Sequence, residues 1–118
     1  MADEELIRRK CQACTPGTPP IDETRAAELC SQIDAAWERE GNQGIRRAFA
    51  FRNFRDAFGF ATRVAMLAEA EGHHPDFEIG WGKVTLALTT HAAGGLTDND
   101  FILAAKIDRI ASGTGARE

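Results

Sequence analysis

No run of apolar residues in the 118-residue sequence approaches the ~18 needed to cross a bilayer as a helix. Positive charge is the scarcer sign: 14 Lys and Arg stand against 18 Asp and Glu, a formal net charge of −4 with a pI near 5.4. An acidic surface repels phosphate backbones and anionic lipid, so neither direct nucleic-acid binding nor membrane binding is expected. The first residues, Met1-Ala2-Asp3-Glu4-Glu5, lack the positive charge and apolar stretch of a secretory leader, and the expected location is the cytoplasm. Cysteine is sparse and odd in number: Cys11, Cys14 and Cys30 make no disulfide framework. Cys11-Gln12-Ala13-Cys14 has no second pair to complete a structural zinc site. It also precedes Thr15-Pro16-Gly17-Thr18-Pro19-Pro20 instead of opening a helix after a strand, as a redox pair would. Residues 1–21 therefore read as an extended tail and linker with incidental thiols. What remains is ordinary in kind: 43% hydrophobic and 27% charged residues suffice for one core. That single domain is expected over 22–112, with a C-terminal tail at 113–118.

Patterning within the domain gives an order of elements. Asp22 is placed to cap a helix whose Ala26, Leu29, Cys30, Ile33 and Ala36 share one face, with Trp37 where helix gives way to strand. Gly41-Asn42-Gln43-Gly44 is a turn, and Ile45, Arg47, Phe49 and Phe51 then alternate with Arg46, Ala48 and Ala50 as in a strand. Asn53 caps a long second helix with two apolar stripes, Phe54, Phe58, Ala61, Ala65 and Ala68 beside Phe60, Val64 and Leu67. Two stripes predict burial on two sides, against its own sheet and against another subunit. Gly72 suits the helix end, and Pro75 forces His74 into extended geometry. A second hairpin turns near Gly80-Trp81-Gly82, whose glycines weaken the strand edge, and leads into Val84, Leu86 and Leu88 on one strand face. Thr97 and Asp100 form a capping box for a third helix, with Leu103, Ile107 and Ile110 facing the core. The order helix-strand-strand-helix-strand-strand-helix predicts an α+β domain with an antiparallel sheet and helices on one face.

Chemistry concentrates in Glu69, His73, His74, His91 and Asp100, a set that includes all three histidines of the chain. Glu69 and His73 stand four apart, the spacing of one helix face. His91 falls at the end of a strand beside the Gly94-Gly95 loop, where sites are commonly built. Histidines on opposite sides of a small molecule suit proton transfer near neutral pH. The residues leave other readings open. A histidine at a helix end also complements the dipole, and three histidines with Glu69 would make acceptable zinc ligation. Arg46, Arg47, Arg52, Arg55 and Arg63 suit either a phosphate site or, more ordinarily, a solvated face.

Glu69-x-x-x-His73-His74-Pro75, followed by Trp81, His91 and Asp100, resembles the signature of the pterin-4a-carbinolamine dehydratase family. Phe54-Arg55-Asp56-Ala57-Phe58-Gly59-Phe60-Ala61-Thr62-Arg63-Val64-Ala65 is similar to its central helix, and Leu86-Ala87-Leu88-Thr89-Thr90-His91 to its last strand. The likeness runs from about Thr24 to Ala111, with the Cys11/Cys14 segment outside it, similar to an extension in bacterial members. The resemblance implies a four-stranded antiparallel sheet with three helices on one face. It also implies homodimers through the sheet and homotetramers through the central helices. The implied activity is dehydration of 4a-hydroxytetrahydropterin to quinonoid dihydropterin without metal or other cofactor, recycling the pterin of aromatic amino acid hydroxylases such as those acting on phenylalanine. Carried over, His74 and His91 are the principal catalytic histidines, base and acid respectively, and His73 assists them. Glu69 orients His73 or binds the pterin's amino-pyrimidine edge, and Asp100 steadies His91. Pro75, Thr90, Ala92 and Ala93 contact substrate, and Trp81 supports the site. Some family members also serve as a dimerisation cofactor of a transcription regulator through the central helix, which is the alternative role implied for Phe58 and Val64.

Overall fold

The computed structural model describes residues 6–113, so the expected tail residues 114–118 and the acidic residues 1–5 lie outside it. The order of elements is α1 (Glu23–Cys30), β1 (Glu38–Glu40), β2 (Gly44–Ala50), α2 (Phe54–Glu71), β3 (Asp76–Gly80), β4 (Lys83–Leu88) and α3 (Asp98–Ser112). A single 3₁₀ turn, His91–Ala93, links β4 to α3. The antiparallel sheet runs β1-β2-β4-β3, the α+β arrangement read from the sequence. No helix of the described residues is long and apolar enough to cross a membrane.

Register decides what the sheet buries. Ile45 pairs with Leu88, Arg47 with Leu86 and Phe49 with Val84, so six buried side chains share the face that meets α2 and α3. Phe49, Phe60 and Phe101 are each at most 1% exposed, and burial of each stabilises the fold by about 1.5–3 kcal/mol. Phe49 stacks on Phe60 at 4.7 Å, and Phe51 on Phe60 at 5.2 Å. Asn53 Oδ1 accepts the Asp56 N–H at 2.7 Å to start α2, and Gly72 ends it in the left-handed region at φ 71°.

Four expectations need correction. The first helix stops at Cys30 instead of reaching Ala36. Ser31 Oγ donates to Glu28 O at 2.6 Å and Asp34 Oδ1 accepts the Ala36 N–H at 2.8 Å, local bonds that compete with further helix, though Ile33 still reaches the core. Arg47 is not part of a solvated face. Its guanidinium is buried, 2.7 Å from Asp108 Oδ1 and 4.3 Å over the Phe49 ring, whereas Arg52 and Arg55 are exposed and reach Asp56. The stripes of α2 divide differently from the spacing. Ala61 and Ala68 join Phe60 and Val64 against the sheet, while Phe54, Phe58 and Met66 are exposed.

The last correction concerns residues 6–21, which are no loose tail. Residues 6–8 are helical, Leu6 is buried, and Cys11 packs into the core. The segment is strapped down at successive points. Arg9 pairs with Asp98 at 3.0 Å, and the Cys11 N–H donates to Glu71 Oε1 at 2.9 Å. At Gln12, the N–H donates to Asn99 Oδ1 at 2.8 Å while Asn99 Nδ2 donates back to Gln12 O at 2.6 Å.

Candidate active site

The end of α2, the end of β4 and the start of α3 meet at one corner of the sheet. Gly72 breaks the helix there, and its left-handed turn lets the His73 N–H cap Ala68 O at 3.2 Å while swinging the side chains of 73 and 74 in different directions. His73 turns inward. Its side chain is 12% exposed and its Nε2 lies 2.5 Å from Oδ1 of Asp100, a carboxylate with no exposed surface. The second oxygen, Oδ2, accepts the Thr97 N–H at 2.9 Å and the Thr90 hydroxyl at 2.8 Å. A buried carboxylate with three donors around it fixes its partner: Nε2 must carry a proton, and in neutral His73 the lone pair is left on Nδ1. His74 turns outward, its Nε2 3.0 Å from Glu69 Oε1 in an exposed pair of small energetic weight.

These partners differ from the expected ones. Glu69 meets His74 and not His73, because the i,i+4 rule ends where Gly72 ends the helix. Asp100 holds His73 and not His91. His91 sits on the 3₁₀ turn with an exposed side chain, brought beside the other two by the Thr90–Gly95 bridge that closes the loop.

All three histidines line one pocket of about 270 Å³, together with Thr90 and Ala92. That volume is at the small end for ligand sites and suits one bicyclic ring. Glu69, Pro75 and Ala93 are not among its lining residues, and exposed Trp81 lies in the turn at the opposite end of β4. Among the described residues no group of three or more His, Cys, Asp or Glu is arranged to hold a metal ion. Asp100 and Glu69 occupy two of the histidines that a zinc set would need.

The pocket also contains residues that sequence reasoning missed: Gln12, Ala13, Cys14 and Asn99. Cys11, immediately before them, is buried, and desolvation together with the nearby Glu71 carboxylate pushes its thiol up to about 12, so it stays protonated and inert. Glu71 itself is raised by burial, but the Cys11 N–H and the Lys106 ammonium outweigh that and hold it below the usual carboxylate range.

Comparison with known proteins bears on the family and the fold. The sequence model of a family described as "Pterin 4 alpha carbinolamine dehydratase" matches residues 19–110. A relative from Rubrobacter xylanophilus, named for pterin-4-alpha-carbinolamine dehydratase, is 42% identical over 106 residues, 90% of this chain and 98% of its own. One from Gloeobacter violaceus with the corresponding name is 46% identical over 114 residues, covering 94% and 97%. The solved structure of a "transcriptional coactivator/pterin dehydratase" from Brucella melitensis superposes with a TM-score of 0.72 at 33% identity, over 78% of this chain and 98% of that one. With a family model matching residues 19–110, relatives above 40% identical over nearly the whole chain and a solved structure of the same fold, the chain belongs to the pterin-4a-carbinolamine dehydratase family.

Proposed function

We propose that the chain dehydrates 4a-hydroxytetrahydropterin to quinonoid dihydropterin and water. The observation that carries this reading is the meeting of His73, His74 and His91 in one ring-sized pocket. In this mechanism His91, as imidazolium, donates a proton to the 4a-hydroxyl, and the C4a–O bond breaks with its electron pair leaving on water. His74 takes the N5 proton, and the N5–H electron pair closes the N5=C4a double bond. Solvent then returns the proton from His74 to His91, which leaves no net change in the protein. His73, oriented by Asp100, assists beside the ring. Thr90 and Ala92 present backbone to the substrate. Each acid–base histidine is worth roughly 10²–10⁴ in rate. No metal or cofactor enters the scheme, and its role is pterin recycling for a cytoplasmic aromatic amino acid hydroxylase.

The test is stopped-flow decay of freshly generated 4a-hydroxytetrahydropterin with wild type, His74→Ala and His91→Ala. Acceleration above the uncatalysed background by wild type, lost in both folded variants, is the expected result. A folded wild type that leaves the decay unchanged overturns the reading.

The exposed Phe54, Phe58 and Met66 on α2 favour a second role alongside the first: association of copies into a homodimer or homotetramer, or docking of a regulator, through this helix, a surface that excludes the expected Val64, which is fully buried.

A further inference from the structure

The three histidines are held in the pocket by different means. Asp100 grips the His73 ring and Glu69 the His74 ring. His91 is placed through its backbone. The residues around it close into a small loop: the Thr90 N–H donates to Gly95 O at 3.0 Å, and Thr90 O accepts the Ala93 and Gly94 N–H groups, both at 3.0 Å. A loop closed in this way moves as a unit, so its place depends on what it hangs from. It hangs at both ends from the turn between β1 and β2. On the near side the Thr89 hydroxyl donates to Gln43 O at 2.7 Å. On the far side the Leu96 N–H donates to Asn42 O at 2.8 Å, and a Cβ on Gly95 would stand 2.7 Å from that same oxygen.

The Asn42 side chain fixes the turn in its own right. The chain that follows the strap of residues 9–14 passes the turn at Ile21. There Asn42 Nδ2 donates to Ile21 O at 3.0 Å, and the Ile21 N–H donates to Leu96 O at 2.9 Å. Asn42, Ile21 and Leu96 thus form a closed ring of three bonds joining turn, linker and loop. Leu96 is fully buried and anchors that ring to the core. The Gln43 amide donates to Asn42 Oδ1 at 3.0 Å, which keeps the Asn42 nitrogen aimed at Ile21. Asn42 is not among the residues lining the histidine pocket, so whatever it does there it does through the loop.

We propose that Asn42 is a positioning residue for the dehydration: by locking the β1–β2 turn it holds the loop that carries His91 in place beside His73 and His74. The inference rests on the dehydratase reading above and goes beyond it by naming a residue remote from the pocket that sets the aim of the proton donor. Proton transfer demands hydrogen-bond reach, so a small drift of the loop is felt in the rate.

The experiment compares wild type with Asn42→Ala, Thr89→Val and Thr89→Ser, by stopped-flow decay of 4a-hydroxytetrahydropterin and by amide hydrogen exchange. Asn42→Ala should lower kcat about tenfold with KM held within about twofold, since the pocket lining is untouched. Exchange at Gly94, Gly95 and Leu96 should quicken about tenfold or more while the β2–β4 ladder exchanges as in wild type. Thr89→Val should repeat the fall in kcat, and Thr89→Ser, which keeps the hydroxyl, should stay within about twofold of wild type. With a wild type that does accelerate the decay, an unchanged kcat in Asn42→Ala overturns the role and leaves the dehydratase reading standing. So does a lower kcat with the loop amides unchanged, or one accompanied by faster exchange throughout the ladder, the mark of general destabilisation. A wild type that leaves the decay unaccelerated overturns both.

Discussion

Asp100 shows how one side chain carries both stability and positioning. Its two oxygens take a histidine, a hydroxyl and a backbone N–H, with no solvent to replace any of them. Asp100→Asn keeps the shape but turns an acceptor into a donor against existing donors. Urea unfolding should show a loss of about 1–3 kcal/mol, and dehydratase turnover should fall by about tenfold or more as His73 loses its fixed orientation. The capping role of Asp100 was legible in the sequence, because Thr97 and Asp100 stand three apart and the bond is local. Its grip on His73 spans 27 residues and was not, since spacing carries no information about which helix end meets which. The same limit explains Glu69, where a rule valid inside a helix was applied across the glycine that ends it. Cys11 and Leu6 were hidden for another reason: a proline-rich neighbourhood reads as linker, yet one short helical turn at 6–8 and the side-chain clamps after it hold the segment against the domain.

At the scale of elements, two anchors of the strap are acids whose ionised forms the fold favours. Burial raises Asp98, but hydrogen bonds from Arg25 and Arg9 outweigh it and leave its carboxyl below the ordinary range, as they do by other partners at Glu71. A folded pKa below the unfolded one gives stability that is present above the unfolded value, ~3.9 for Asp and ~4.3 for Glu. That stability is lost as pH falls through the folded value. The strap should therefore hold from pH 8 to 5 and release in stronger acid before the sheet unfolds. Labelling of Cys11 with dithiodipyridine, which reacts in acid, should rise in that low window while far-ultraviolet circular dichroism is unchanged. The loop after β4 is tied by close approach: a Cβ on Gly95 would stand 2.7 Å from Asn42 O and 3.0 Å from Pro20 Cβ. Gly95→Ala should cost about 1–3 kcal/mol and slow turnover, because the loop carries His91. Thermal unfolding and the decay assay together check it. β2 and β4 were plain from alternation and their hairpin partners only from the turns beside them, since β1 and β3 are mostly exposed, whereas the early stop of α1 depended on two side chains bonding their own backbone.

For the whole molecule, two features set stability and assembly. The Arg47–Asp108 pair is buried between sheet and α3, and burial lifts the Asp108 carboxyl above its ordinary range even beside that guanidinium. Arg47→Met should lower unfolding free energy by about 3–5 kcal/mol by stranding the acid, and Arg47→Met with Asp108→Leu should recover much of it in the same urea titration. Phe58, half exposed on α2, belongs to the surface proposed to join copies. Phe58→Glu should reduce the mass seen in sedimentation equilibrium, with the secondary structure retained. Finally, the first turn of α3 presents three consecutive residues to three destinations: Asp98 to Arg9, Asn99 to the Gln12 backbone, and Asp100 to His73. Each residue added or removed before a helix rotates everything after it by about 100°. A single deletion between Gly95 and Thr97 would therefore unseat all three grips at once, so in this chain residues 9–14, 73 and 90–100 behave as one mechanical block.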